Sequence, residues 1–213
     1  GALVSAGEVD RANVVLTQLL NRTDLSARAY FGVGIGMFEA DQYENAARAF
    51  EQAAARMPQD QQTLFMHAQS LYFNALEAGG SWEEVVPIAE RLLTVDTHSR
   101  NSILFLYQAL SNTQSTERAN EIAALYDELT FEVTDLQLAT DQGAAAVGGR
   151  VTNLTSAPGT SVTIRITFFD ENGAQLGTGD TTLSLPGAEE FVDFQVDAST
   201  TGTAAGYRYE VVN

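Results

Sequence analysis

Two histidines, His67 and His98, stand 31 residues apart, and no cysteine occurs in the 213 residues. Thiolate chemistry, disulfides, cysteine-bound zinc and iron–sulfur clusters are therefore excluded within this chain, and two histidines do not make a histidine-rich metal centre. All 11 basic residues are Arg, which removes Schiff-base chemistry and the lysine of a phosphate loop. Gly32-x-Gly34-x-Gly36 has the outline of such a loop, but no strand precedes it and a helical pattern runs through it. Gly34 reads as a point of close helix approach, and Gly32 and Gly36, four apart on one face, as the walls of a shallow channel. Asp170-Glu171-Asn172-Gly173 lacks the twelve-residue spacing of a helical calcium loop and reads as a turn; Gly177, Gly179 and Asp180 read the same way. Glu83-Glu84 fits a first helical turn, where negative charge is favoured. No serine sits in a nucleophile motif. The expectation is a non-enzyme with no catalytic, cofactor or metal residues.

The 28 acidic residues leave a net charge of -17. Such a chain repels nucleic acid and anionic lipid. No run of 18 apolar residues exists, so direct membrane insertion is not expected. No basic segment followed by an apolar stretch marks a secretory leader, and the start at Gly1, followed by Leu3 and Val4, reads as an artificial or processed end.

The composition changes near residue 130. Residues 1–130 hold 8 Arg and 17 acidic residues among many Ala, Leu and Glu; residues 131–213 hold 3 Arg and 11 acidic residues and are rich in Gly, Thr and Val. The first segment predicts helices and the second predicts strands. Within the first, Ala27 to Asp60 places Tyr30, Val33, Gly34 and Met37 before Tyr43, Ala46, Phe50 and Ala53, with Pro58 near its end. Small residues at Gly34 and Ala46 let two antiparallel helices approach, and the large ones fill the space around them. Asp41 with Glu44 predicts a capping box for the second helix. Gln61 to Ser99 repeats the pattern with Leu64, Ala68, Leu71, Trp82, Val85, Ala89 and Leu92, lengthened around Ala75 to Gly80, and Ser81 to Glu84 predicts another capping box. Arg100 to Leu129 repeats it with Ile103, Tyr107, Leu110, Ala119, Ala123 and Tyr126, with Ser115 as cap. Glu8 to Arg22 fits one further second helix. The whole, residues 8–129, resembles the tetratricopeptide repeat. That resemblance implies stacked helical hairpins, about seven helices in all, with protein binding along the concave side.

In residues 131–213, Val162, Ile164, Ile166 and Phe168 alternate with polar residues, as a strand with one buried face requires. Candidate strands are 131–140, 146–153, 161–170, 174–185, 189–196 and 205–212. Pro158-Gly159, Glu171-Asn172-Gly173 and Pro186-Gly187 mark turns. Phe191 and Phe194 break the alternation and suggest a bulge. The fold class expected is α plus β in separate domains: a helical-hairpin array over 1–130, then a small antiparallel β-sandwich over 131–213. Gly149, Val151 and Asn153, then Val162 to Phe168, Phe169-Asp170 and Pro186-Gly187, resemble the FxLYD-type immunoglobulin-like domains of bacterial cell-envelope proteins. That family implies a binding or spacing module, and with the acidity and absent Cys it points to an extracytoplasmic place, periplasmic or cell surface, with the cytoplasm as alternative.

First helices of tetratricopeptide hairpins line the concave face. Positions free of intra-hairpin packing are Arg28, Phe31, Gly32, Ile35, Phe38 and Glu39, then Gln62, Phe65, Met66, Gln69, Tyr72 and Phe73, then Asn101, Leu104, Phe105 and Gln108. This lining is aromatic and apolar. Phe31 and Ile35 stand where carboxylate-binding members carry polar residues, and no Lys is present. So large an apolar groove needs a cover: a partner peptide or helix with an apolar segment, the chain's own β domain, or a second copy in a homodimer. The first makes the chain a scaffold or interaction module, the others a structural accessory subunit.

Overall fold

The structure, a computed structural model, describes residues 9–212. Leu3, Val4 and Glu8 lie outside the described residues. Seven helices come first: α1 (Val9–Leu20), α2 (Ala27–Phe38), α3 (Tyr43–Arg56), α4 (Gln61–Glu77), α5 (Trp82–Leu93), α6 (Arg100–Asn112) and α7 (Thr116–Glu128). Each packs antiparallel-hairpin fashion on the next in sequence, and α1 also touches α3 as α4 touches α6. The helical half is thus a stack of helical hairpins.

The starts of four helices follow from their capping residues. Ser26, Asp60, Ser81 and Ser99 accept the backbone N–H of Ala29, Thr63, Glu83 and Ser102 at 2.9–3.3 Å, and each such cap is worth about 1 kcal/mol. Asp41 does not cap α3. It sits at φ 57°, in the left-handed conformation after α2, its carboxylate accepts the Tyr43 hydroxyl, and Gln42 takes the cap position with no side-chain bond to an α3 amide. Ser115 occupies its cap position without a side-chain bond either. At α5 it is Glu83, not Glu84, whose carboxylate meets the Ser81 hydroxyl.

Gly34 supports the α2–α3 contact. A methyl group added there would lie 2.7 Å from the Phe50 ring, and Phe50 has no exposed surface. Gly36 faces Leu16 of α1, while Gly32 meets nothing within 4 Å. The two do not form one channel, because α1 covers the second of them. Tyr30, Met37, Phe50, Leu64, Leu92 and Leu110 are fully buried, each contributing about 1.5–3 kcal/mol relative to exposure.

Six antiparallel strands follow: β1 (Phe131–Asp141), β2 (Ala144–Asn153), β3 (Ser161–Phe169), β4 (Gln175–Ser184), β5 (Phe191–Ser199) and β6 (Gly206–Val212). They form two sheets, ordered β1-β2-β5 and β4-β3-β6. Val147, Val151 and Val196 of one sheet and Ile164, Ile166 and Phe168 of the other belong to a single apolar core. Gly177 and Gly179 are strand residues of β4, not turn residues: the β5 backbone oxygens of Ser199 and Asp197 lie 2.7 and 2.6 Å from where a Cβ would stand. Asp180 pairs with Arg165 at 2.8 Å. The bulge suggested by Phe191 and Phe194 falls elsewhere. β5 keeps its register against β2, with Phe191 53 % exposed beneath Arg150, whereas β1 shifts register between Thr134 and Gln137, around Asp135 at φ 55°.

Candidate interaction clefts

Of the residues expected to line a groove, Phe38, Phe65, Tyr72, Phe73 and Phe105 form one run of packed rings rather than an open groove. Phe65 packs on Phe105, Phe105 on Tyr72, Tyr72 on Phe73, and Phe73 on Phe38, with ring centroids 5.1–5.9 Å apart. This chain of rings crosses α2, α4 and α6. Phe105 is only 6 % exposed, so it belongs to the core beneath Phe65 and Tyr72 rather than to a docking surface. Tyr43 and Trp82 from second helices join the rings at 5.4 and 5.5 Å. Ile35, Phe38, Gln69, Tyr72, Phe73 and Gln108 are half-buried. Leu104 turns away from this side and lines a separate hollow of 210 Å³ with Tyr107, Ala123 and Tyr126.

Two clefts remain beside the N-terminal ends of the first helices, and β1 walls both. The larger, 440 Å³, lies between Gln62, Phe65, Met66 and Asn101 on the helices and Val133, Thr134, Asp135 and Leu136 on β1. The smaller, 250 Å³, lies between Arg28, Phe31, Gly32 and Gln62 and the β-half residues Leu138 and Ala205. Gln62 borders both. The chain's own β half is therefore a wall of the apolar side, next to the residues expected to hold a partner.

What fixes that wall is a set of polar contacts made by the turns between hairpins. Tyr207 donates its backbone N–H to Asp60 Oδ1 at 2.8 Å, and Gly206 is needed there because a Cβ would come within 2.6 Å of the carboxylate. Tyr209 donates its hydroxyl to Asp96 Oδ1 at 2.7 Å and accepts the His98 N–H at 3.1 Å. Val133 N–H donates to the His98 carbonyl at 2.8 Å, and the His98 ring stacks on Phe131 at 4.7 Å. β1 and β6 are sheet edges, whose free N–H groups need covering; the α3–α4 and α5–α6 turns provide the acceptors. Asp60 and Asp96 are 3 % and 1 % exposed, and burial pushes both carboxyls above their ordinary range despite the hydrogen bonds that pull the other way. The phenols of Tyr207 and Tyr209 rise well above theirs, first by burial and then through the adjacent aspartates. The first full repeat ends at Asp60, and Tyr207 and Tyr209 fall within the expected strand 205–212, but nothing local distinguishes a buried acid or a bonded phenol from a solvated one, so Asp96 carries no signal in the sequence.

The histidines do not meet. His67 is buried in α4, and its imidazole is held near pKa 4 by burial and by Arg91. Among the described residues no group of three or more His, Asp or Glu is placed to hold a metal ion, and no helix is long and apolar enough to cross a membrane.

The sequence matches no family model and no curated protein. Among solved structures, a MamA from Desulfovibrio magneticus RS-1, residues 41 to its end, is similar at 18% identity over 60% of this chain and 70% of its own, with a TM-score of 0.47. A MamA of MSR-1 aligns at 16% identity over 60% of this chain and 71% of that one, TM-score 0.46. YrrB, described as a tetratricopeptide protein with an unusual peptide-binding site, aligns at 21% identity over 60% of this chain and 63% of its own, TM-score 0.46.

Proposed function

We propose that the chain is a non-enzymatic protein-interaction module that binds an apolar segment of a partner polypeptide in the 440 Å³ cleft between α4, α6 and β1. The observation that carries this reading is the pairing of half-exposed Phe65 and Met66 with Leu136 across the cleft, bordered by the amides of Gln62 and Asn101. Apolar surface with a few amide donors and acceptors at its rim suits a peptide, whose side chains supply apolar area and whose backbone needs partners. In this reading residues 1–130 and 131–213 are two domains, the second an immunoglobulin-like sandwich of the FxLYD type, and the protein works outside the cytoplasm as an envelope scaffold.

The test is a panel of short apolar peptides measured by calorimetry against the whole chain. Met66→Glu and Leu136→Asp are each expected to weaken the best binders at least about tenfold, since a buried unpaired charge costs more than the 1.4 kcal/mol this represents, with a folded chain verified by circular dichroism because both residues also pack against a core. Binding unaffected by both variants would overturn the reading.

A second reading is favoured by the β1 wall itself. There the β half is the occupant, and the chain is a structural accessory subunit. A peptide panel with no binder, together with a monomer in sedimentation, would support it; a dimer that dissociates on Met66→Glu would assign the cover to a second copy.

A further inference from the structure

β1 borders both clefts of the apolar side with its edge rather than with a face. Val133, Thr134, Asp135 and Leu136, four successive residues, wall the larger cleft, and no β2 residue lines either one. A strand presents only alternate side chains on a face, so an unbroken run without the neighbouring strand marks the edge. β1 pairs with β2 alone. We infer that the segment bound in the function proposed above is an extended strand added to this edge, a mode of binding that rests on that function and makes the partner a polypeptide of β-forming residues, apolar at alternate positions.

The ladder shows which amides await it. The Asn153 N–H goes to the Glu190 carbonyl just ahead of β5, so odd-numbered β2 residues turn their backbone groups to β5 and even-numbered ones to β1. Val133 stands opposite Val151 and accordingly points outward, where its N–H meets the His98 carbonyl at 2.8 Å. The register then shifts between Thr134 and Gln137, and beyond the shift Gln137 and Ala139 stand opposite Gly148 and Ala146. These two bond β2, which leaves Leu136 and Leu138 with N–H and C=O turned outward. Outside the β1–β2 ladder no backbone-to-backbone hydrogen bond engages Leu136 or Leu138 among the described residues. Leu136 lines the larger cleft, Leu138 the smaller, and Gln62 borders both. Two residues of strand span about 7 Å, so one extended segment can run from cleft to cleft, continuing along β1 what the His98 carbonyl begins. Half-buried Phe65 and Met66 face it from the helices and suit apolar side chains at alternate positions. A helix satisfies its own backbone groups and would leave both amides unpaired. A second copy brings another charge of -17, which repels the first.

Strand pairing is carried by backbone hydrogen bonds, so the probe is a plain sequence of β-formers, acetyl-Thr-Val-Thr-Val-Thr-Val-Thr-amide, titrated into the whole chain. Two further versions are N-methylated, one at every valine and one at every inner threonine. The unmodified peptide is expected to slow amide exchange at Leu136 and Leu138 at least about tenfold, with Gln137 and Ala139 unchanged. The version methylated on the paired edge is expected to bind at least about fivefold more weakly than the other, as lost backbone hydrogen bonds imply. Equal binding of the two methylated versions, or binding without slower exchange at Leu136 and Leu138, overturns the proposal. A leucine peptide held helical by α-aminoisobutyrate separates the proposal from the function it rests on. If that peptide alone binds, and Met66→Glu weakens it, strand addition falls while the cleft function stands; if neither peptide binds, both fall. Slow exchange at Leu136 and Leu138 without peptide, together with a dimer in sedimentation, assigns the edge to a second copy and overturns the proposal.

Discussion

Asp60 Oδ2 accepts the Thr63 N–H at the start of α4, while its Oδ1 accepts the Tyr207 N–H on the edge of β6, both within 2.9 Å. One buried carboxylate thus begins a helix and seals a sheet. Asp60→Ala removes a cap worth about 1 kcal/mol and leaves a buried N–H unpaired at about 1–3 kcal/mol. Relief from desolvating the carboxylate offsets part of that loss. A net destabilisation of about 2 kcal/mol is expected in urea unfolding, with faster amide exchange at Tyr207 than at Ile164. Unchanged exchange at Tyr207 would mean that the edge is covered some other way.

Tyr209→Phe tests the second seal. The ring stays in the core while its hydroxyl, which bonds Asp96 and His98, is lost. An unpaired buried carboxylate oxygen and N–H are expected to cost about 1–3 kcal/mol. The Val133 amide, which donates to the His98 carbonyl, should exchange faster in the same variant. A variant as stable as the parent, with Val133 still protected, would show this contact to be dispensable.

Gly34 and Gly32 should respond oppositely to alanine. At Gly34 the new methyl group meets the buried Phe50 ring at 2.7 Å, and overpacking of about 1–3 kcal/mol exceeds the helix-propensity gain of about 1 kcal/mol. At Gly32 there is open space, so the gain stands alone. Thermal unfolding of the two variants should bracket the parent. Equal shifts in one direction would contradict the packing given for α2 and α3.

His67 sets a pH window. Its unfolded pKa is 6.5 and its folded value about 4. The unfolded chain therefore takes up a proton that the folded chain refuses, and stability is lost as pH falls from 6.5 towards 4. Asp60 and Asp96, with raised values, act in the other sense: the stability they confer is fullest below the ordinary aspartate range and declines as pH rises through their folded values. Their contribution is common to parent and variant, so His67→Leu isolates the histidine. Between about pH 7 and about pH 4.5 the variant should lose on the order of 2 kcal/mol less than the parent in urea titrations. Equal losses would place the ring in solvent.

The helical hairpins and the six strands were legible in the chain because each follows from local spacing. Tyr30, Met37 and Phe50 recur at helical intervals around Gly34, and Val162 to Phe168 alternate at the strand period. Asp41 misled because the sequence of a capping box does not reveal that the backbone turns left-handed first. Phe105 misled for a different reason. Its place on a first helix made it a groove residue, but whether a ring at such a position meets solvent or Phe65 and Tyr72 depends on how far the array curves.

The sequence alone determined the elements, their order, the apolar character of the first helices and the absence of cysteine and lysine chemistry. These are properties of residue type and short-range periodicity. Only the tertiary structure decided that β1 walls the apolar side and that Asp60 and Asp96 are buried acceptors for β6. The partners involved lie up to 147 residues apart. Hydrogen bonds and burial at such separation are set by where whole elements come to rest, which no local pattern encodes.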